Sequence, residues 1–258
     1  MDFSGKCVVV TGSSSGIGKA TALLFAKQGA SVLLHGRNEE RLQEAVDACK
    51  SIGKEDAKFP AILGEMDKDE VLEKIVATVN EQFGRLDVLV NNAGIVIPDS
   101  LVPGNISALE SQFKVLLRAP MLLSQLCFPL LEKHKGNIVN VSSIGSTRPS
   151  TGCPYYCIAK AGLDMFTKCA ALDYGKRGVR VNAINPCYVP TNIATSSGLA
   201  STDEELEIIA KALKARSPLN KNLTAEELAK MIVHLASDDA SMMNGHCLAH
   251  DGGVSLTC

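Results

Sequence analysis

The chain has 258 residues, of which 46% are hydrophobic and 21% charged, and its formal net charge at pH 7 is -2. This near-neutral balance gives no electrostatic reason to expect nucleic acid or an anionic membrane as a partner. The aromatic content is 4% and Trp is absent, which disfavours a surface that stacks with the bases of single-stranded nucleic acid. The N-terminal residues enter a strand pattern without a signal peptide or a segment long enough to cross a bilayer, so we expect a cytoplasmic protein.

Nine cysteines are scattered along the chain, and none of them forms a CxxC pair. The odd number and the missing secretory signal predict reduced, mostly buried thiols. Cys153 and Cys157 are one helical turn apart, but a zinc site needs about four N or S ligands, and no His or further Cys lies nearby in sequence. We therefore predict no metal site.

Short β-branched segments alternate with longer amphipathic ones along the whole chain. The strand segments are nearly continuously apolar, as expected of parallel strands that are covered on both faces. This alternation predicts an α/β fold, a doubly wound parallel sheet with helices on both faces, which binds ligands beyond the carboxyl ends of its strands. No linker or repeat divides the chain, so we predict a single domain over 1–258. Within it, the Ser/Thr-rich stretch 190–217 is either a surface excursion or a mobile flap over a substrate.

A glycine turn follows the first strand pattern, with Gly12, Gly16 and Gly18 in the spacing GxxxGxG. The backbone N–H groups of such a turn and the positive end of the next helix face an anion. The position between a strand and a helix, at the start of an α/β chain, predicts a site for the phosphates of a dinucleotide.

The end of the second strand pattern indicates which dinucleotide binds. Many dinucleotide sites place a carboxylate there to bind the ribose hydroxyls, whereas this chain has Gly36 followed by Arg37 and Asn38. Glycine leaves room for a 2′-phosphate, and Arg37 can pair with it bidentately. We predict NADP(H) over NAD(H); the alternative is that Arg37 is a solvated charge at a helix start.

Several motifs in fixed order resemble those of the short-chain dehydrogenase/reductase family, over essentially the whole chain. They are TGSSSGIG at 11–18, NNAG at 91–94, NVSS at the end of the fifth strand, the Tyr156-x-x-x-Lys160 pair and NPCYVPT at 185–191. The resemblance implies a Rossmann-like seven-stranded sheet of order 3-2-1-4-5-6-7, oxidoreductase chemistry and, commonly, a homotetramer.

The family's active serine lies thirteen positions before its tyrosine, which selects Ser143 for Tyr156. Tyr155 would need its lysine at Ala159. Tyr156 and Lys160 also share one face of a helix, whereas Tyr155 is turned away from the lysine, so we expect Tyr155 only to line the site.

We hypothesise hydride transfer between the nicotinamide C4 and a carbonyl carbon. Tyr156 would serve as acid and base, and Ser143 would orient the carbonyl oxygen. The charge of Lys160, about 4 Å away, would lower the pKa of the phenol by roughly three units, and the resemblance implies that Lys160 also holds the nicotinamide ribose. Besides Tyr156 and Lys160, the cofactor contacts that we predict are Gly12, Ser14, Ser15, Gly16, Ile17, Gly18, Arg37, Asn38, Glu65, Met66, Asn92, Ala93, Gly94, Pro186, Val189 and Thr191.

Four positions depart from the family pattern, of which Ala159, in place of a common serine before the lysine, is expected to matter little. Leu116 stands where the family often has an asparagine that completes a proton relay to the lysine, and its apolar helix face makes it a candidate core leucine. Glu65 replaces an aspartate that meets the adenine. Cys187 replaces a glycine near the nicotinamide, where it would narrow the pocket or expose a thiol.

The sequence thus predicts an NADP(H)-dependent carbonyl or ketone reductase acting on CH–OH/C=O groups of a small molecule. A 3-oxoacyl-thioester reductase or a steroid-type dehydrogenase is an alternative within this class. A dinucleotide-binding regulatory protein with weak turnover is the alternative outside it. By resemblance, the apolar helices near 105–131 and 154–173 form the subunit interface of a homotetramer or homodimer.

Overall fold

The structure, a computed structural model, describes residues 1–191, 193, 197 and 202–257. Its centre is an all-parallel sheet of seven strands in the order β3-β2-β1-β4-β5-β6-β7. This topology confirms the predicted fold class and strand order. The strands are β1 Cys7–Val10, β2 Ser31–Gly36, β3 Ala61–Leu63, β4 Val88–Asn91, β5 Asn137–Val141, β6 Arg180–Pro186 and β7 Cys247–His250.

Eight α-helices lie among the described residues. Between the fourth and the fifth, Lys114–Arg118 forms a π-helical turn, so the stretch stays helical throughout. The helices are α1 Gly16–Lys27, α2 Glu39–Ile52, α3 Asp69–Gln82, α4 Ile106–Phe113, α5 Ala119–His134, α6 Pro154–Gly175, α7 Asp203–Arg216 and α8 Ala225–Ala236.

Successive strand residues face opposite sides of the sheet, and this divides the core in two. On one side Val8 and Val10 pack with α1, α2 and α8. On the other side Val9 packs with α3, α5 and the later turns of α6. Both faces of the central strands are therefore buried, which explains their continuous apolarity.

Strand β3 is the one strand for which no apolar segment stands out in the sequence. It has three residues, and only Ile62 is buried, while Ala61 and Leu63 are exposed. An edge strand of this length leaves too little apolar pattern to separate it from a loop.

The helical stretch Ile106–His134 is long and apolar enough to cross a membrane by length and composition. However, Leu123, Cys127 and Leu131 are fully buried against the sheet, so the apolar residues serve the core of an α/β fold.

All eight described cysteines are free, and four of them are buried; the prediction of mostly buried thiols therefore overstates their burial. No group of three or more potential metal ligands occurs in the described part of the chain. Within 190–217, α7 accounts for the second half, while residues 192, 194–196 and 198–201 lie outside the described residues. The interpretation of this stretch as a flap stays a prediction.

Candidate active site

One cavity of about 680 Å³ lies beyond the carboxyl ends of the central strands. Except for Gly18 and Tyr155, it brings together every residue that the sequence places in the site. Those residues are Gly12, Ser14, Ser15, Gly16, Ile17, Arg37, Asn38, Glu65, Met66, Asn92, Ala93, Gly94, Ser143, Tyr156, Lys160, Pro186, Val189 and Thr191.

Gly18 supports the turn from behind the cavity. A Cβ on Gly18 would lie 2.3 Å from the carbonyl oxygen of Gly12 and 2.4 Å from Nδ2 of Asn92, so only glycine permits this approach of helix to turn. At the cavity, Ser15 is the N-cap of α1 but accepts no capping hydrogen bond through its side chain. The first N–H groups of α1 are thus available to an anion.

Asn92 locks the glycine turn to the end of β4. Its Nδ2 donates to the carbonyl oxygens of Thr11 at 2.8 Å and Gly12 at 3.1 Å. In return, Oγ1 of Thr11 accepts from the backbone N–H groups of Asn92 and Ala93, both at 3.0 Å. These bonds hold the two turns as one unit.

At the end of β2, only glycine fits at position 36, because Ser14 lies directly beside it. A Cβ there would lie 2.8 Å from both Cβ and Oγ of Ser14. Asn38 lines the cavity, but its Oδ1 caps α2 by accepting from the N–H of Arg41 at 2.8 Å. Arg41, which the sequence analysis missed, lines the cavity as well; its position in the first turn of α2, four residues after Arg37, is the signal that could have found it. Neither guanidinium forms an ion pair with a described residue.

His35 is a second residue that sequence reasoning missed. Its imidazole is 1% exposed, and Nδ1 accepts from the N–H of Gly12 at 3.2 Å while Nε2 lies 3.1 Å from the carbonyl oxygen of Gly64. These partners require the proton on Nε2. Burial lowers the pKa of His35 to about 4, so the ring stays neutral and links the glycine turn to the loop after β3.

That loop lines the end of the cavity where the sequence predicts the adenosine of the cofactor. Glu65 is exposed and Met66 is buried. Asp67, which the sequence analysis did not single out, lines the cavity and has a buried Oδ1 that no described residue hydrogen-bonds.

The opposite end of the cavity holds Ser143, Tyr156 and Lys160. Ser143 follows β5, and its Oγ accepts from the N–H of Gly145 at 3.0 Å. Tyr156 and Lys160 lie one turn apart on α6, which begins at Pro154 as predicted. The hydroxyl of Ser142 is turned away and donates to the backbone carbonyl of Lys160.

Burial dominates the acid–base properties of this end. It raises the pKa of Tyr156 to about 12, and hydrogen bonding with Ser143 opposes the rise. Burial lowers the pKa of Lys160 to about 8, and the charge of Asp164 opposes that fall. The predicted lowering of the Tyr156 pKa by Lys160 is not the net effect in this structure, because burial raises that pKa. Nζ of Lys160 is held 2.7 Å from the carbonyl oxygen of Val141 and lies 5.7 Å from the centroid of the tyrosine ring.

Leu116 lies in the π-helical turn between α4 and α5 and lines the same cavity, fully buried. A Cβ on Gly94 would lie 3.4 Å from its Cδ2. The place where the family often has an asparagine is thus apolar here.

Pro186, Cys187, Val189 and Thr191 complete the wall after β6. Burial raises the pKa of Cys187 to about 11, so this thiol stays protonated and is a poor target for oxidants. Tyr188 also lines the cavity, and its buried hydroxyl has no hydrogen-bond partner among the residues described.

Tyr155 is not a lining residue, contrary to expectation. Its side chain is 7% exposed, and its hydroxyl oxygen lies 3.0 Å from where a Cβ on Gly104 would be. The ring therefore packs under the loop before α4.

Comparison with known proteins agrees with this geometry. Residues 12–255 match the family model described as enoyl-(acyl carrier protein) reductase. The 3-oxoacyl-[acyl-carrier-protein] reductase FabG of Thermotoga maritima is 35% identical, with 99% of this chain and 100% of the relative covered.

Two solved structures have the same fold. A short-chain dehydrogenase/reductase of unknown function from Caenorhabditis elegans, solved with cofactor, has a TM-score of 0.94 at 34% identity and covers 99% of this chain and 97% of its own. L-Sorbose reductase from Gluconobacter frateurii, complexed with NADPH and L-sorbose, has a TM-score of 0.91 at 32% identity, with 100% and 99% covered. The chain belongs to the short-chain dehydrogenase/reductase family.

Proposed function

We propose that this oxidoreductase of CH–OH/C=O groups is an NADP(H)-dependent reductase of a ketone. The observation that carries the proposal is the arrangement of one cavity. Ser143, Tyr156 and Lys160 lie at one end, and two arginines without ion pairs to the described residues lie at the other.

The cavity suits a dinucleotide phosphate on several grounds. The amino end of α1 has uncapped N–H groups, although Ser14 occupies the space beside Gly36 that the sequence had assigned to a 2′-phosphate. Arg37 and Arg41 can bind a phosphate bidentately, whereas β2 ends without the carboxylate that would repel it. These features favour NADP(H) over NAD(H).

When bound, the nicotinamide supplies or accepts a hydride. Tyr156 is protonated at neutral pH, because its pKa is about 12, so its phenol can donate a proton to a developing alkoxide. Ser143, within hydrogen-bonding reach of the phenol, orients the same carbonyl oxygen. Lys160 is buried and cationic below its pKa of about 8, and its charge stabilises the phenolate that remains. A protonated phenol favours the direction of reduction.

The apolar part of the cavity wall indicates the type of carbonyl compound. Ile95, Val96 and Ile97 are apolar, and Tyr188 offers one hydroxyl without a partner in the described chain. An apolar wall with few polar groups favours a medium-sized ketone with one or two polar substituents. We place 3-oxoacyl thioesters and ketoses second, since the names of two relatives include them.

We further propose that the chain forms a homotetramer or homodimer in the cytoplasm. An apolar stripe on α6, made of Ile158, Met165 and Leu172, is 50 to 74% exposed in the single chain. Its seven-residue spacing suits packing of two such helices. A second copy of the chain would cover it.

The test is oxidation of NADPH, followed by its absorbance, against ketones, quinones, ketoses and 3-oxoacyl thioesters, with NADH in parallel. Wild-type protein should turn over at least one ketone with NADPH preferred. Tyr156→Phe should abolish turnover and still bind NADPH, whereas Tyr155→Phe, the matched control, should keep both. Binding of NADPH without turnover of any compound would favour the regulatory alternative, and full activity of Tyr156→Phe would refute the mechanism.

A further inference from the structure

Helix α6 carries a third polar side chain in line with the two catalytic ones. Asp164 follows Lys160 by four residues and Tyr156 by eight, so all three lie on one face of the helix. Asp164 is 6% exposed. Its Oδ2 accepts from Nδ2 of Asn185 at 2.7 Å, and its Oδ1 has no partner among the described residues. Burying a carboxylate with so few hydrogen bonds lowers the stability of the folded chain. Poorly satisfied buried groups of this kind often occur at functional sites.

Asn185 connects this carboxylate to the catalytic serine. It lies on β6, and its Nδ2 is also 3.1 Å from the carbonyl oxygen of Ser143 and 2.9 Å from Oγ of Ser146. An amide can point either its N–H groups or its oxygen at a neighbour. The carboxylate of Asp164 accepts only, so it selects the orientation in which Asn185 donates to the loop that carries Ser143. Without that acceptor, the amide oxygen could turn toward the Ser143 carbonyl and repel it.

Asp164 also places a negative charge four residues from the buried ammonium on the same helix face, although the two side chains form no ion pair. Lys160 is 4% exposed, and the charge of Asp164 raises its pKa against the effect of burial. From β5 the ammonium meets only the carbonyl oxygen of Val141, and Leu116 on the π-helical turn has no charge. On the other side of Asp164, Cys247 of β7 donates to its backbone oxygen at 3.8 Å, and the pKa of that thiol is raised to about 11 by burial and by Asp164.

We propose that Asp164 is a positioning residue of the catalytic end: its carboxylate holds the Ser143 loop in place through Asn185 and is the counter-charge of Lys160. This inference rests on the proposed function, since it assigns roles to the groups behind the reacting ones. The charge of Asp164 also explains how Lys160 can stay protonated, although Leu116 is apolar where the family often has an asparagine.

Two variants separate the two roles. Asp164→Ala removes both the acceptor and the charge, whereas Asp164→Asn removes the charge and keeps one oxygen that can accept from Asn185. With the best substrate from the panel, Asp164→Ala should lower kcat on the order of tenfold or more, and its Kd for NADPH, measured by fluorescence, should stay near the wild-type value. Asp164→Asn should recover most of the kcat near pH 6, and its kcat should fall on the alkaline side about one pH unit below that of the wild type.

A second measurement does not need a substrate, so it separates failure of this inference from failure of the proposed function. Titration of Lys160 in 15N-lysine-labelled protein by NMR should show its pKa lowered by about one unit in Asp164→Asn, since a nearby opposite charge contributes at least that much. An unchanged Lys160 midpoint would overturn the inference. So would wild-type kcat in Asp164→Ala, or a loss of NADPH affinity in Asp164→Ala as large as its loss of kcat, which would indicate a general structural role.

Discussion

Lys160 is expected to destabilise the folded protein at neutral pH, because burial penalises its charged form. The ordinary pKa of 10.5 falls to about 8 in the folded chain. At about 1.4 kcal/mol for each pKa unit, the charged side chain costs folding about 3 kcal/mol. The side chain is 4% exposed, so solvent does little to reduce that cost.

The sign of the pH dependence follows from the two pKa values. Below pH 8 the folded and unfolded chains both bind the proton, and the cost is present in full. Between pH 8 and 10.5 the unfolded chain binds more protons, so the free energy of unfolding rises with pH. Above 10.5 both forms are neutral and the cost is gone.

Replacing Lys160 with Met keeps the length of the side chain and removes the charge. Urea unfolding of the wild type and of Lys160→Met should be compared at several pH values from 7 to 10.5, at one protein concentration and without cofactor. The variant leaves the Val141 carbonyl oxygen without its hydrogen bond, which offsets its advantage by about 1–3 kcal/mol at every pH. The change with pH is therefore the clean quantity.

We expect the stability of Lys160→Met relative to the wild type to fall by about 3 kcal/mol across that range. The buried thiols of Cys49 and Cys127, whose pKa values are raised to about 12, lower stability above pH 9 in both proteins, and the difference removes their effect. A difference that stays constant with pH, or that grows, would refute the reasoning.

Further predictions concern the cofactor end, the π-helical turn and the assembly. Arg37→Glu should raise KM for NADPH at least tenfold, since it removes a charge-assisted contact of about 1.5–3 kcal/mol, and change KM for NADH little; an unchanged ratio of the two would contradict the assignment. His35→Leu should weaken NADPH binding about tenfold, because it leaves a buried N–H of the glycine turn without an acceptor. His35→Asn should recover much of that affinity, since its Oδ1 replaces Nδ1; equal Kd values for the two variants would speak against this role. Leu116→Asn should lower the free energy of unfolding by about 1 kcal/mol or more without raising kcat, and a faster enzyme would show that the missing asparagine limits turnover. Met165→Glu and Leu172→Glu should each dissociate the assembly in sedimentation; a wild-type monomer at micromolar concentration would contradict it outright.

Local patterns in the sequence were enough to predict most of the sheet and the ends of the cavity. Alternation of apolar strands with amphipathic helices depends on burial alone, so it can be recognised from the hydrophobic pattern of short stretches of sequence. The glycine turn and the Tyr156–Lys160 pair each lie within a few residues, where backbone geometry and helical spacing apply directly. Strand β3 was not predicted, because it has only one buried residue, Ile62, and a single residue does not form an apolar pattern.

What the sequence could not supply is the environment of each group. The pKa of Tyr156 depends on how deeply the phenol is buried and on which atom the Lys160 amino group hydrogen-bonds. The four-residue spacing in the sequence reveals neither of these. Tyr155 illustrates the same point, since it is turned from the lysine as predicted but packs under Gly104 and not along the cavity.

The sequence by itself determined the family, the parallel α/β sheet and most of the residues around the cavity, because these depend on short-range pattern and fixed motif order. The tertiary structure alone decided that His35 joins the glycine turn to the loop after β3 and that Asp164 reaches the Ser143 loop through Asn185. Those links join residues 21 to 42 positions apart, and only the packing of strands against helices brings such residues within hydrogen-bonding distance.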